Sequence, residues 1–256
     1  MKLLVQSDDY GISKAQALGC LEAIKFGIVK NTGIFVNLPW FEECAELIKP
    51  YINDICLGID INLCAGYPLS DPSKISSLLQ DNGRFLTSGM NRALDNESNN
   101  FDHVNCEEMF IEAEAHLQKY LKYFGKLPDY IQSHAYDTKK TSKVLDELGK
   151  KYGTPFTQTI CEKYGMVESA YWYTQPITYE TQKNSSLKDY ILQDKENLLS
   201  KEYACIVCHT GYVDKELLDL STYTIYRVKD LEAMTSDEVK NWIKDNNVEL
   251  ITYKNL

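Results

Sequence analysis

The sequence predicts an α/β protein: a (β/α) barrel-like single domain over residues 1–256, with about seven or eight mostly parallel strands. Three observations predict it. Short apolar runs alternate with helix-type patterns along the chain, the order that builds a parallel sheet. A length of 256 residues is usual for one such barrel. Several of the apolar runs stop abruptly at polar, titratable residues, as strands do at the working face of a parallel sheet.

The elements follow in order. Residues 2–6 read as a strand that stops at Ser7-Asp8-Asp9-Tyr10-Gly11. Ser13 is a candidate N-cap for a helix carrying Ala15, Leu18, Cys20, Ala23, Ile24 and Phe26, and Gly27 ends it. Residues 33–38 read as a second strand, 41–47 as a helix stopped by Pro50, and 55–63 as a third strand. Residues 64–105 are polar and loop-like, with turn signals at Gly66-Tyr67-Pro68 and Asp81-Asn82-Gly83. A long amphipathic helix over 107–124 is closed by Gly125 and Pro128. Residues 130–133 form a strand ending in His134-Ala135-Tyr136-Asp137, and 141–152 are helical. Residues 156–160 and 171–177 are weaker strand signals, and 186–200 read as helix. Residues 203–208 are a clear strand ending at His209-Thr210-Gly211. A helix over 235–246, capped by Thr235 or Ser236, precedes a closing strand over 248–253.

Composition narrows the partners. The formal net charge of −10 argues against a nucleic acid, because phosphate backbones are bound by a surplus of Lys and Arg, but leaves a neutral sugar open. No stretch approaches the roughly 18 apolar residues of a membrane span, so no membrane partner is expected. The first apolar run, Leu3-Leu4-Val5, is too short for a signal segment, so a cytoplasmic chain with reduced thiols is expected. Cys205 and Cys208 form a lone C-x-x-C inside the run ACIVC. Three positions apart on a strand, they would point to opposite faces, which favours a structural role.

Four strand ends carry the side chains from which metal and acid/base sites are made: Asp8 with Asp9, Asp60, His134 and His209. In a parallel sheet these ends share one face, so residues far apart in sequence can converge. Each has a plainer reading. Two adjacent carboxylates after a strand can cap the next helix. Asp60 interrupts an apolar alternation, and a charge there needs a partner or a metal. His134 or His209 alone would be an ordinary structural histidine, as His103 and His116 are read to be. Trp40-Phe41 and Tyr171-Trp172-Tyr173 could stack on sugar faces, although packing at element ends is the favoured reading.

Six segments in chain order resemble the YdjC-like carbohydrate deacetylases, the family that includes chitooligosaccharide deacetylase. SDDYGIS (7–13) is similar to the family's A-D-D-F-G-x-S start, and LGIDINLCAGYPLS (57–70) to its G-x-H-x-x-L-x-x-G-x-P-L segment. DPSKISSLLQDNGRF (71–85) resembles the stretch that leads to a D-G-x-F turn, and FGKLPDYIQSHAYD (124–137) resembles G-x-x-P-T-H-x-D-S-H. CHTGYVD (208–214) resembles C-H-P-G-Y-x-D, and STYTIYRVKDLEAMTS (221–236) the closing S-x-Y-x-x-x-R-x-x-E-L-x-x-L-T-S. The resemblance implies a barrel-like fold, one divalent ion, and hydrolysis of an N-acetyl group on a mono- or oligosaccharide. It makes Asp9, Asp60 and His134 metal ligands, Asp8 the general base and His209 the general acid. Arg227 and Tyr136 become substrate contacts, with a surface ion pair as the alternative for Arg227. A homodimer is a further expectation.

This chain departs from the family pattern at three places: Asp60 stands for a His, Ala135-Tyr136-Asp137 follow His134 where further histidines are usual, and Thr210 stands for a Pro. Two carboxylates and one imidazole are a harder ligand set than one carboxylate and two imidazoles. That set would weaken the ion's Lewis acidity and tilt preference from zinc toward magnesium, manganese or iron. Two alternatives stay open: a non-catalytic carbohydrate- or metal-binding relative, and another metal-assisted sugar hydrolysis on the same scaffold.

Overall fold

The structure, a computed structural model, describes all residues except 97–100, 167, 170 and 171. Among the described residues seven strands make one parallel sheet: β1 (Lys2–Tyr10), β2 (Asn31–Ile34), β3 (Cys56–Ile61), β4 (Ile131–Ser133), β5 (Glu168–Ser169), β6 (Tyr203–Cys208) and β7 (Glu249–Ile251). Their order is β4-β3-β2-β1-β6-β5, with β7 also on β1. The sheet curls into a half-barrel that stays open between β4 and β5 among the described residues.

β1 is the axis. Its Lys2–Ser7 stretch pairs with β6 on one edge. On the other edge β7 takes Lys2–Leu4, and β2 takes the upper part from Gln6 to Tyr10. Where β7 gives way to β2, the buried Asn31 side chain donates to the Val5 carbonyl at 2.9 Å and accepts the Tyr253 N–H at 3.1 Å. Those bonds satisfy backbone groups that the change of partner strands would otherwise strand inside the protein.

Alternation along the strands gives the sheet two apolar faces. Leu3, Val5, Leu57, Ile59, Ile131 and Ile206 pack outward under the helices in the main core. Leu4, Cys56, Tyr130, Cys205, Ile251 and Tyr253 fill the concave side as a separate cluster. Cys205 and Cys208 fall in different clusters, on opposite faces, and all eight cysteines are free.

Around the sheet lie α1 (Lys14–Phe26), α2 (Phe41–Ile48), α3 (Ser88–Leu94), α4 (Cys106–Phe124), α5 (Lys139–Tyr152), α6 (Thr157–Tyr164), α7 (Tyr179–Asn184), α8 (Leu187–Leu192), α9 (Lys215–Leu220), α10 (Ile225–Thr235) and α11 (Asp237–Asp245). Ser13 caps α1 by accepting the Gln16 N–H, and Ser236 caps α11. Gly125 closes α4 in the left-handed region at φ 68°, where a residue without Cβ is favoured. None of the described helices is long and apolar enough to cross a membrane.

Several local expectations are corrected. Residues 156–160 suggest a strand by their β-branched content, yet 157–164 form α6. Thr157 and Cys161, four apart, are both buried there, so tertiary contact overrides propensity. Residues 172–177 form no strand, and Tyr171 lies outside the described residues. The loop-like 64–105 stretch contains α3, capped by the Thr87 hydroxyl. Within 186–200 the α-helix stops at Leu192. β1 continues past Gln6 to Tyr10 and so includes both aspartates.

α4 also ties down the segment after β3. Glu112 and His116, one turn apart and fully buried, bond to each other at 3.0 Å. The Glu112 carboxylate accepts the N–H groups of Leu69 (2.7 Å) and Ser70 (2.9 Å) as well. Burial alone would raise this carboxyl, but the bonds from His116 and the two amides outweigh it and lower it to about 2. A folded-state value below the unfolded one, about 4.3, means stability that is complete above that value and lost as pH falls toward 2. Glu112→Gln should therefore cost about 1–3 kcal/mol at pH 7 in urea denaturation, and the gap from wild type should close between pH 4 and 2.

Candidate active site

The site begins with an irregularity in β1. Against β2 the register runs Gln6 to Asn31, Ser7 to Thr32, then Tyr10 to Ile34, so three steps on β1 match two on β2. The extra residue is a bulge, and Asp9 within it has φ 68°. In a regular strand Asp8 and Asp9 would face opposite sides of the sheet. The bulge instead lets both reach the same strand ends: Asp8 meets Gln132 of β4, and Asp9 meets His134 two residues further on.

The left-handed conformation of Asp9 costs of order 1–3 kcal/mol and persists only where its surroundings fix it. Asp60 does so. Its Oδ2 accepts the Asp9 N–H at 2.8 Å, while the Asp9 carbonyl accepts the Ile12 N–H at 2.9 Å. Asp60 fits because position 33 is glycine: a Cβ there would lie 1.7 Å from Asp60 Oδ1. Burial first, then the negative charge of Asp9, push the Asp60 carboxyl well above its ordinary range.

Asp9 is the hub. Its Oδ1 is 2.7 Å from His134 Nδ1, and its Oδ2 is 2.7 Å from Arg227 Nη2 and 4.0 Å from His209 Nε2. Burial would raise this carboxyl, but His134, Arg227 and His209 together hold it well below the usual range, so it is charged. Arg227 is 1% exposed, which overturns the surface ion-pair reading. Its Nε donates to the Tyr223 carbonyl at 2.9 Å, and Nη2 also reaches Ser221 Oγ at 3.3 Å.

The other expected residues sit around this hub. Asp8 is buried, and its Oδ1 accepts a short hydrogen bond from Gln6 Nε2. Gln132 Nε2 lies 3.5 Å from the other oxygen. Gln132 is held in turn by the Thr157 hydroxyl, and Gln6 by the Tyr253 hydroxyl at 2.5 Å. His134 packs edge-on against Phe35, at 4.7 Å between centroids. Tyr136 lines a cavity with Ser133, His134, Asn91 and Ile61, and its hydroxyl donates to Asp95 at 2.7 Å. The structure places no polar contact between Tyr136 and the two aspartates. Thr210 supplies an N–H that the family's proline would lack, and donates it to Ser7 Oγ at 3.0 Å.

Burial lowers the His209 imidazole to about 4 against the pull of Asp9, with Arg227 and His134 acting in the same direction as burial. It is therefore neutral at pH 7. Two residues behind it escape sequence reasoning. Asp230, on α10, accepts the His209 N–H at 2.9 Å, and Tyr173 lies 3.0 Å from His209 Nδ1. The available signal was the Arg227, Asp230, Leu231, Met234 spacing, one buried helical face.

Whether these residues suit a divalent ion can be judged from their donors. Asp9 and His134 already converge, an oxygen beside a nitrogen. Asp60 Oδ1 is buried with no hydrogen-bond partner, the kind of orphaned oxygen a cation satisfies. However, Asp60 Oδ2 is committed to the Asp9 amide, and no three His, Cys, Asp or Glu side chains among the described residues stand ready as a cluster. The set fits an ion held chiefly by Asp9 and His134, with Asp60 supporting Asp9 from below.

Carboxylates and histidines gathered at the C-terminal strand ends of a half-open parallel α/β barrel define a hydrolase-type centre. The chain belongs to the YdjC-like protein family, whose profile matches residues 2–245. It is 30% identical to a carbohydrate deacetylase of Clostridium beijerinckii, with all of both chains aligned. It is also 30% identical to a carbohydrate deacetylase of Thermoanaerobacter pseudethanolicus, over 98% of this chain and 97% of that one. Among solved structures it resembles a protein of Enterococcus faecalis described as a cellobiose-phosphate cleavage protein. The TM-score is 0.80 at 26% identity, covering 99% of this chain and 98% of the other.

Proposed function

We propose that this protein is a metal-assisted carbohydrate deacetylase that hydrolyses the N-acetyl group of a mono- or oligosaccharide. The observation that carries the reading is the bulge that aims Asp8 and Asp9 at one strand end, with His134 and His209 converging on Asp9. The carbohydrate deacetylases among its relatives support the reaction class.

Asp8 takes the proton of the attacking water as the water oxygen bonds to the acetyl carbon. Asp9, kept ionised by Arg227, anchors the positive side of the site. As the C–N bond breaks, His209 gives a proton to the departing nitrogen through Nε2, so acetate and a free amine leave. One divalent ion, magnesium or zinc with manganese and iron as further options, would be held by Asp9 and His134 and would polarise the acetyl carbonyl.

Incubating the protein with N-acetylglucosamine oligomers and each of these ions tests the proposal. Acetate and free amine should appear in equal amounts. No acetate with any of the ions would refute it. The commitment of Asp60 to a backbone amide favours a second reading, a relative that binds the sugar without turnover, and that reading predicts oligomer binding with no acetate.

A further inference from the structure

His209 is tied at two points to a single carboxylate. Its backbone N–H donates to Asp230 Oδ2 at 2.9 Å. Its ring nitrogen Nδ1 lies 3.0 Å from the Tyr173 hydroxyl, and that hydroxyl makes a short hydrogen bond to the same Asp230 oxygen. Asp230 is 1% exposed. Tyr173 packs edge-on against both Tyr223 and Tyr226, with centroids at 5.1 and 4.8 Å. Tyr226 clamps the next residue, accepting the Thr174 N–H at 2.8 Å and donating to the Thr174 carbonyl at 3.1 Å. The phenol is therefore held by its ring packing and by the clamp on Thr174, and the second imidazole nitrogen, Nε2, faces Asp9.

We propose that Tyr173 and Asp230 are positioning residues that set the aim and tautomer of His209 through an Asp–Tyr–His hydrogen-bond chain. The proposal rests on the deacetylase reading for its consequence in catalysis. Tyr173 donates to Asp230 while that carboxyl is charged. With a proton on Asp230 the bond reverses: the carboxyl donates to the Tyr173 oxygen and Tyr173 donates to Nδ1, so the ring proton of His209 sits on Nε2. When Nε2 gives this proton to the departing amine, Nδ1 takes the phenol proton and the phenol takes the Asp230 proton. One proton has moved from Asp230 to the amine, and Asp230 is left as carboxylate. Burial supports the scheme by raising the Asp230 carboxyl to about 7, despite the bonds from Tyr173 and the His209 N–H.

The test is Tyr173→Phe, which removes the hydroxyl and keeps the ring packing, with Asp230→Asn as second variant. On N-acetylglucosamine oligomers kcat should fall about 10- to 100-fold with KM changed less than about twofold. On p-nitrophenyl acetate, whose leaving group needs no proton, the loss should stay within about threefold. Equal losses on both substrates, or none on the oligomer, would overturn the proposal. Nitrogen-15 spectra of the His209 ring supply an arm independent of activity: a single Nε2–H tautomer in the wild type and a mixture in Tyr173→Phe. Unchanged spectra also overturn it. A wild type that releases no acetate from oligomers removes the deacetylase reading, while the spectra still decide the role of Tyr173.

Discussion

Asp9→Asn is expected to lower stability by about 3–5 kcal/mol and to abolish hydrolysis. The stability loss has a specific cause. Arg227 is 1% exposed, and its nearest counter-charge is Asp9 Oδ2 at 2.7 Å. Removing the charge strands a buried guanidinium whose Nη1 already lacks a hydrogen-bond partner. The backbone contributes little to the effect, because Asn tolerates a φ of 68° as well as Asp does, and its N–H can still reach Asp60. Urea denaturation of the two proteins measures it. A loss below about 1 kcal/mol would mean that the Asp9–Arg227 pair is screened as surface pairs are, contrary to its burial.

Asp8→Asn is expected to separate chemistry from stability. The rate should fall about 10²- to 10⁴-fold, the usual contribution of a general base. The denaturation midpoint should move little, since an Asn oxygen still accepts from Gln6 and the lost charge-assisted bond to Gln132, at 3.5 Å, is long. Steady-state kinetics beside denaturation would show it. If Asp8→Asn were nearly fully active, the base would have to be sought elsewhere on the sheet's upper face. Neighbouring residues of like chemistry are thus expected to fail in different ways, one because it holds the site together and the other because it performs a step.

The parallel architecture was legible from strand ends alone. His134 and His209 fall at the ends of β4 and β6, and β6 has the bounds its apolar run suggests. That placed two histidines and three aspartates on one face before any contact was known. What Asp60 does was not legible. Whether a strand carboxylate turns to an ion or to an amide depends on the β1 bulge, a mismatch of register between β1 and β2 that neither strand's own pattern carries. The same limit hid the burial of Arg227, which the resemblance makes a substrate contact or a surface ion pair. Its helix, α10, begins at Ile225 with no side-chain cap from Thr224, so the usual start signal is missing and nothing in the pattern aims the arginine at Asp9. Tyr173 sat in an aromatic run for which packing was the sensible reading. It does pack, against Tyr223 and Tyr226, and only its hydroxyl, reaching His209 and Asp230, gives it a second role.

Asp9 gathers a histidine and a buried arginine at one strand end, and the proposed divalent ion would bind there. Elemental analysis of the purified wild type and Asp9→Asn, each dialysed against the same divalent ions, tests this most directly. A stoichiometric ion in the wild type that is lost in Asp9→Asn is the result predicted. Acetate release by a wild type that retains no ion, or an ion kept undiminished in Asp9→Asn, would contradict it.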